Sequence, residues 1–156
     1  MELPLIRRAR VTDIPELLRL RGVMFNDMHF EIANTEWIDS TTTSLERHLP
    51  TATIIGAVMD RVPEPGLRAS GLLQIQEGLA SPRFPKGVVG HISSVAVDPQ
   101  WRRQGIGESV LRFLIVEART LGLERVELHA TPDGEAIYRK LGFHDRQGGV
   151  ELSLEL

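Results

Sequence analysis

Apolar residues in this chain change their period several times, and each change marks an element. Leu3 to Arg10 reads as a short first strand. Ile14, Leu17 and Leu18 then form a helical stripe, capped by Thr12 or Asp13 with Pro15 in the first turn, and weakened or ended at Gly22. A second, less regular helical region runs from around Phe25 to Leu49. It is rich in large apolar groups: Met24, Phe25, Met28, Phe30, Trp37 and Ile38. The period then falls to two. Residues 51–60, 67–78 and 88–97 read as three strands, separated by a two-proline turn at 61–66 and a longer loop at 79–87. Val110, Leu111, Leu114, Ile115, Ala118 and Leu121 return to helical spacing, and Gly122 stops them. Residues 124–130 read as a strand, and Asp133 to Leu141 as a short helix ended by Gly142. Phe143 onward reads as strand again, turned by Gln147, Gly148 and Gly149 before a final VELSLEL. The order β, α, α, β, β, β, α, β, α, β, β predicts an α/β (α+β) architecture, a mixed twisted sheet of about seven strands with helices on both faces. With no repeat, low-complexity tract or linker, residues 1–156 read as a single domain.

Composition narrows the picture mainly by exclusion. Hydrophobic residues make up 42% and charged residues 25%, ordinary for a globular chain with a real core. Eighteen Lys and Arg against 21 Asp and Glu give a net charge of −3, which argues against a nucleic-acid or membrane surface. The absence of cysteine removes disulfides, a thiolate metal site and a cysteine nucleophile. No apolar run approaches a membrane span, and MELPLIRRAR lacks the apolar core of a signal peptide, so a cytoplasmic protein is expected.

One stretch asks for a chemical explanation. VDPQWRRQGIGESVL, residues 97–111, follows a strand with a proline turn, two arginines and two glycines, and then opens a helix. Helix N-termini carry unpaired N–H groups and partial positive charge, and so attract phosphate. Gly105 and Gly107 remove side chains that would block those amides, while Arg102 and Arg103 add charge beside them. The other reading is a plain strand-to-helix junction with solvated arginines. The stretch is not a P-loop, because Gly107 is followed by Glu108 and Ser109 rather than Lys-Ser/Thr. It is not a dinucleotide fingerprint, because position 110 is valine.

The stretch resembles the GNAT superfamily of acetyl-coenzyme A dependent N-acyltransferases. The signature Arg/Gln-x-x-Gly-x-Gly/Ala stands here as Arg102, Arg103, Gln104, Gly105, Ile106 and Gly107, after a strand ending VAVDP. EAIYRKLGF, residues 135–143, looks like the second signature, a tyrosine shortly before Gly-Phe, across a β-α-β unit. The resemblance implies a sheet splayed between its fourth and fifth strands and acetyl-coenzyme A as co-substrate. Backbone groups of Val95 and Val97 would pair with the pantetheine arm like an added strand. Amides from Arg103 through Glu108 would hold the pyrophosphate, with the Glu108 side chain turned to solvent. Tyr138 would lie near the thioester sulfur. The asparagine common early in the fourth-helix segment has Thr131 as its shorter equivalent here.

The implied reaction is direct attack of a neutral amine on the thioester carbonyl. A lysine-like amine titrates near ~10.4, so its proton must leave through a base or a water chain. Proton transfer from a tyrosine (about 10) to a thiolate (about 8.5) is uphill by roughly 2 kcal/mol. Tyr138 is therefore expected to donate a hydrogen bond as charge builds on sulfur; the bland alternative is a helix tyrosine packed on Phe143. Glu127 and His129 alternate onto one face of their strand, opposite Val126 and Leu128. His91, Ser93, Val95 and Val97 are read as sharing a face of theirs. Glu127, His129 or His91 can relay the proton, and each also reads as an ordinary strand residue. No His and carboxylate spacing suggests a metal, and no nucleophile triad is readable.

The acceptor wall is expected between Met24 and Trp37 and at loop 79–87, where Pro82 and Pro85 stiffen the chain. Apolar groups with Asp27, Glu31 and Glu36 would suit a cationic amine; the alternative is that the former are core and the latter solvated. Three functions stay open. One is acetylation of a primary amine on a small molecule. Another is protein N-terminal or lysine acetylation. The third is a non-catalytic coenzyme A binding regulator. A homodimer through an exposed sheet edge is compatible with each.

Overall fold

The computed structural model describes residues 3–30, 34–146, 150 and 152–156. Its centre is a five-stranded sheet in the order β1-β2-β3-β4-β5, made of β1 (Ile6–Arg8), β2 (Ile54–Asp60), β3 (Leu67–Glu77), β4 (Val88–Val97) and β5 (Val126–Leu128). The first four strands run antiparallel and β5 joins β4 in parallel. Four helices, α1 (Ile14–Asp27), α2 (Glu36–His48), α3 (Ile106–Thr120) and α4 (Glu135–Lys140), complete the fold. Helices cover both faces, as the element order predicts.

Each face has its own core. Ile55, Ala57, Met59, Leu73 and Ile92 pack against Ile106, Val110, Leu111, Leu114 and Ala118 of α3. On the other face Ile54, Val58, Leu67, Leu72 and Ala96 meet Ile14, Leu17 and Leu20 of α1 and Leu45 of α2. Gly71 lets α3 lie close: a Cβ there would stand 2.7 Å from Val110 Cγ1 and 3.2 Å from Leu114 Cδ1. Leu121 and Gly122 close α3 by the expected stop, with Gly122 at φ +72.

The helical bounds on the N-terminal side differ from the sequence reading. Gly22 sits inside α1, which continues to Asp27, and the next helix starts only at Glu36. A glycine ends a helix when it takes positive φ, which Gly22 does not. In mid-helix it costs about 1 kcal/mol relative to alanine, less than the burial of Leu17 and Leu20 returns.

The expectation of about seven strands is corrected to five among the described residues. Residues 143–146, 150 and 152–156 form no strand, and the predicted turn at Gln147, Gly148 and Gly149 lies outside the described residues. Alternation fixes which side chains share a face but not which backbone pairs with them. Val150, Leu152, Leu154 and Leu156 consequently stand 83–115% exposed.

Candidate acyl-transfer site

The sheet opens where β4 and β5 part. Their register runs Gly90↔Val126, His91↔Glu127 and Ile92↔Leu128, and no pair follows, although β4 continues to Val97. Asp98 donates its N–H to Arg68 O on β3 at 2.8 Å. Backbone alternation therefore turns the main-chain groups of Val97, and of Val95 before it, toward the opened side. Arg102 Nε already donates to Val97 O at 3.1 Å.

A bulge lies inside this stretch. Ser70↔Ala96 and Leu72↔Ser93 leave one extra residue in β4, and Ser94 takes φ +54. Gly90, Ile92, Val95 and Val97 consequently meet the α3-side core, while Ala96 belongs to the α1 side. The expectation that His91, Ser93, Val95 and Val97 share a face is thus overturned, because the extra residue flips the parity. Ser94 is buried and its Oγ accepts from Arg21 Nη1 of α1, so it too faces α1.

At the end of β4 the chain makes one 3-10 turn, Pro99–Trp101, closed by the Asp98 carboxylate on Gln100 N at 3.1 Å. Arg61 and Arg68 lie over the Trp101 ring at 4.8 and 5.2 Å. Asp98 also takes Arg19 and Arg61, both at 2.8 Å. Burial alone would raise the Asp98 pKa, but the Gln100 amide and the two guanidinium groups hold it below the usual range. Arg102 reaches back to Asp27 at 2.5 Å. The loop is thus fixed from three sides before α3 begins.

Arg103 (φ +63) and Gly105 (φ +75) turn the chain into α3. No side chain caps the helix. A Cβ at Gly105 would meet nothing within 4 Å, and one at Gly107 only Val97 Cγ2 at 3.6 Å. Packing therefore does not demand these glycines; they leave room against the first-turn amides of Gly105, Ile106, Gly107 and Glu108. That room, the uncapped amides and the opened edge of β4 fit the diphosphate and the amide-bearing arm of coenzyme A. Gln104 is exposed on the same loop. The Glu108 side chain does not run free into solvent as expected: Lys140 of α4 holds it at 2.7 Å, and that hydrogen bond lowers its pKa.

Tyr138 sits on α4 over the α3-side core, edge-on to Phe143 at 6.0 Å. Gly134 makes room for it, since a Cβ there would lie 2.9 Å from Tyr138 Cε2. Burial pushes the phenol above its usual pKa, and among the described residues its hydroxyl has no hydrogen-bond partner. Thr131 sets the turn before α4, its carbonyl accepting from Gly134 and Glu135 N–H at 3.0 and 3.1 Å.

Tyr138, His91, Glu127 and His129 line one open groove of about 1230 Å³ along β5 and α4. The glycine loop and Val95 do not line it, so it is the free side of β5 rather than the opening beyond Ile92. Glu127 is engaged by Arg125 at 2.6 Å and Arg146 at 3.3 Å, while His129 is exposed just past β5. Phe84 of loop 79–87 packs under the Arg125 guanidinium at 3.9 Å. On the α1 side Phe25 meets Trp37 at 5.2 Å and Phe30 at 5.7 Å. The expected acidic wall is not assembled there: Asp27 is bound to Arg102, Glu36 is exposed at the start of α2, and Glu31 lies outside the described residues. Among the described residues no group of His, Asp and Glu is placed to hold a metal, and no helix is long and apolar enough to cross a membrane.

Arg21, Ser94, Asp98 and Lys140 escaped the sequence reading. For Ser94 a signal existed, since the adjacent Ser93 and Ser94 interrupt an alternating strand. For the others the partners are distant in sequence.

Residues 27–143 match the model of the Acetyltransferase (GNAT) family. Among curated proteins, glucosamine 6-phosphate N-acetyltransferase of Trypanosoma brucei brucei is 34% identical over 109 residues, 67% of this chain and 62% of that protein. Probable glucosamine 6-phosphate N-acetyltransferase 2 of Oryza sativa subsp. japonica is 34% identical over 94 residues, 59% and 52% of the two. The chain thus spans less than two thirds of the length of these relatives. A predicted acetyltransferase with acetyl-CoA from Clostridium acetobutylicum superimposes with TM-score 0.85 at 22% identity, over 95% of this chain and 94% of that one. A GCN5-related N-acetyltransferase from Ralstonia eutropha JMP134 gives 0.83 at 23%, over 95% and 97%. These two likenesses show a shared fold.

Proposed function

The chain belongs to the acetyltransferase (GNAT) family, and from that premise we propose that it is, over residues 1–156, a single-domain N-acetyltransferase moving an acetyl group from acetyl-coenzyme A to a primary amine on a small molecule. The curated relatives named for glucosamine 6-phosphate make an amino-sugar phosphate the first acceptor to try. The observation that carries the reading is the uncapped, glycine-opened start of α3 beside the edge of β4 that β5 leaves unpaired beyond Ile92.

Acetyl-coenzyme A supplies an activated thioester. The amides of Arg103 to Glu108 hold its diphosphate, Arg103 adds charge, Arg102 adds it on leaving Asp27 and Val97 O, and Val95 and Val97 present main-chain groups to its arm. Tyr138, a phenol whose pKa burial raises further, donates a hydrogen bond to the departing sulfur. As the C–N bond forms and the C–S bond breaks, the amine loses a proton through water. His129 or His91 receives it more readily than Glu127, which two arginines occupy.

Thiol release from acetyl-coenzyme A with glucosamine 6-phosphate, other small amines and lysine peptides tests this, and the cysteine-free chain adds no background. Release with a small amine is expected. Release with peptides alone would replace the small-molecule reading, and none above hydrolysis would favour a regulator.

A homodimer belongs to the same proposal. The apolar residues 150, 152, 154 and 156 alternate with polar ones, the pattern of a strand, and stand exposed, and among the described residues no strand pairs with the outer edge of β5. The segment of a second copy covers that edge. Sedimentation at several concentrations checks it: a monomer throughout would remove the dimer.

A further inference from the structure

Among the described residues, the buried and half-buried arginines are matched by acids, with two exceptions. Arg7 is held by Asp13 and Asp60, and Arg19 and Arg61 by Asp98. Arg68 meets no carboxylate; it lies over Trp101, donates to Val62 O and, like Arg21, leaves its Nε buried without a partner, but it stands on β3 away from the opening. Arg21 meets none either. Its guanidinium lies 4.8 Å over the Phe25 ring, Nη1 donates to Ser94 Oγ, and Nε is buried without a partner. Burial weakens it as a base, because no anion offsets the desolvation. A half-buried cation left this way is costly for stability alone and asks for another explanation.

Its position supplies one. The diphosphate end of the opening is at α3, beyond Val97. An arm paired along β4 toward its start brings the reactive end up at Ser93 and Ser94, about 10 Å away at strand rise. Arg21 therefore stands at the reactive end, on the α1 side, beside the aromatic group of Phe25, Phe30 and Trp37. A cation there discourages a polyamine or a lysine and favours an amine that also carries an anion.

We propose that Arg21, held by Ser94 and Phe25, binds the phosphate of a phosphate-bearing amine and so sets acceptor specificity. This rests on the N-acetyltransferase reading. The guanidinium edge not used by Ser94 is suited to phosphate oxygens.

The test compares glucosamine 6-phosphate with glucosamine for the intact protein, Arg21→Gln and Arg21→Lys. Glucosamine 6-phosphate should show the lower KM with the intact protein. Arg21→Gln should raise that KM about 10- to 100-fold, the range of one charged hydrogen-bond contact. Its kcat, its KM for glucosamine and its acetyl-coenzyme A affinity should stay within about threefold, and Arg21→Lys should recover part of the loss. Equal losses of kcat on both acceptors, or no preference for the phosphorylated one, would overturn the proposal while leaving acetyl transfer standing. Calorimetric binding of glucosamine 6-phosphate needs no turnover. If no amine is acetylated, the function falls, and calorimetry still decides Arg21: binding lost in Arg21→Gln supports it, and binding that is absent or unchanged refutes it.

Discussion

At the scale of the residue, the phenol of Tyr138 is half-buried and packed edge-on to Phe143. Burial raises its pKa, so it is a poorer acid than free tyrosine and a full proton transfer to a thiolate is more uphill still. In the proposed reaction it gives a hydrogen bond that strengthens as sulfur gains charge. Tyr138→Phe should lower kcat about 100-fold, while the affinity for acetyl-coenzyme A, followed by fluorescence or calorimetry, stays the same. An equal fall of affinity and turnover would make the ring a packing element against Phe143. Tyr138 and Gly105 were singled out in the sequence because their signals are local: a tyrosine before Gly-Phe, a glycine where a helix begins. Arg21 was not. Its meaning comes from Ser94, 73 positions away, and from the carboxylate it lacks.

Among the elements, α3 and β4 do most of the positioning. Gly107→Asp should weaken acetyl-coenzyme A binding by at least about tenfold, since a carboxylate would occupy open space against the diphosphate amides. Unchanged affinity in an equilibrium titration would remove the cradle from the argument. The melting temperature should barely move, because the nearest atom to the new Cβ is an ordinary contact away. The strand and helix bounds of β2 to α3 were legible within a few residues, since long periodic runs leave little choice. The start of α2 and the fate of residues after Phe143 were not. A stripe of Met and Phe fits a helix or a loop clamp equally well, and an alternating tail specifies a face without naming its neighbour.

For the molecule as a whole, Asp98 is the tie between the sheet, α1 and the loop into α3. Its folded pKa lies below its unfolded one, so its contribution is present above about pH 4 and is lost as pH falls through the folded value. Asp13, Asp60 and Glu16, also lowered, act in the same direction. Urea midpoints should therefore decline below about pH 4. Asp98→Asn should cost about 2 kcal/mol at neutral pH and flatten that decline; a variant with the same acid slope as the intact protein would show that other carboxylates set it. The bulge at Ser94 carries a consequence for anyone reshaping the proposed acceptor side of β4. A combinatorial library built on every second residue of β4 would begin on one wall of the protein and finish on the other. To stay on the α1 wall it must use odd numbers as far as Ser93 and even numbers from Ser94 onward.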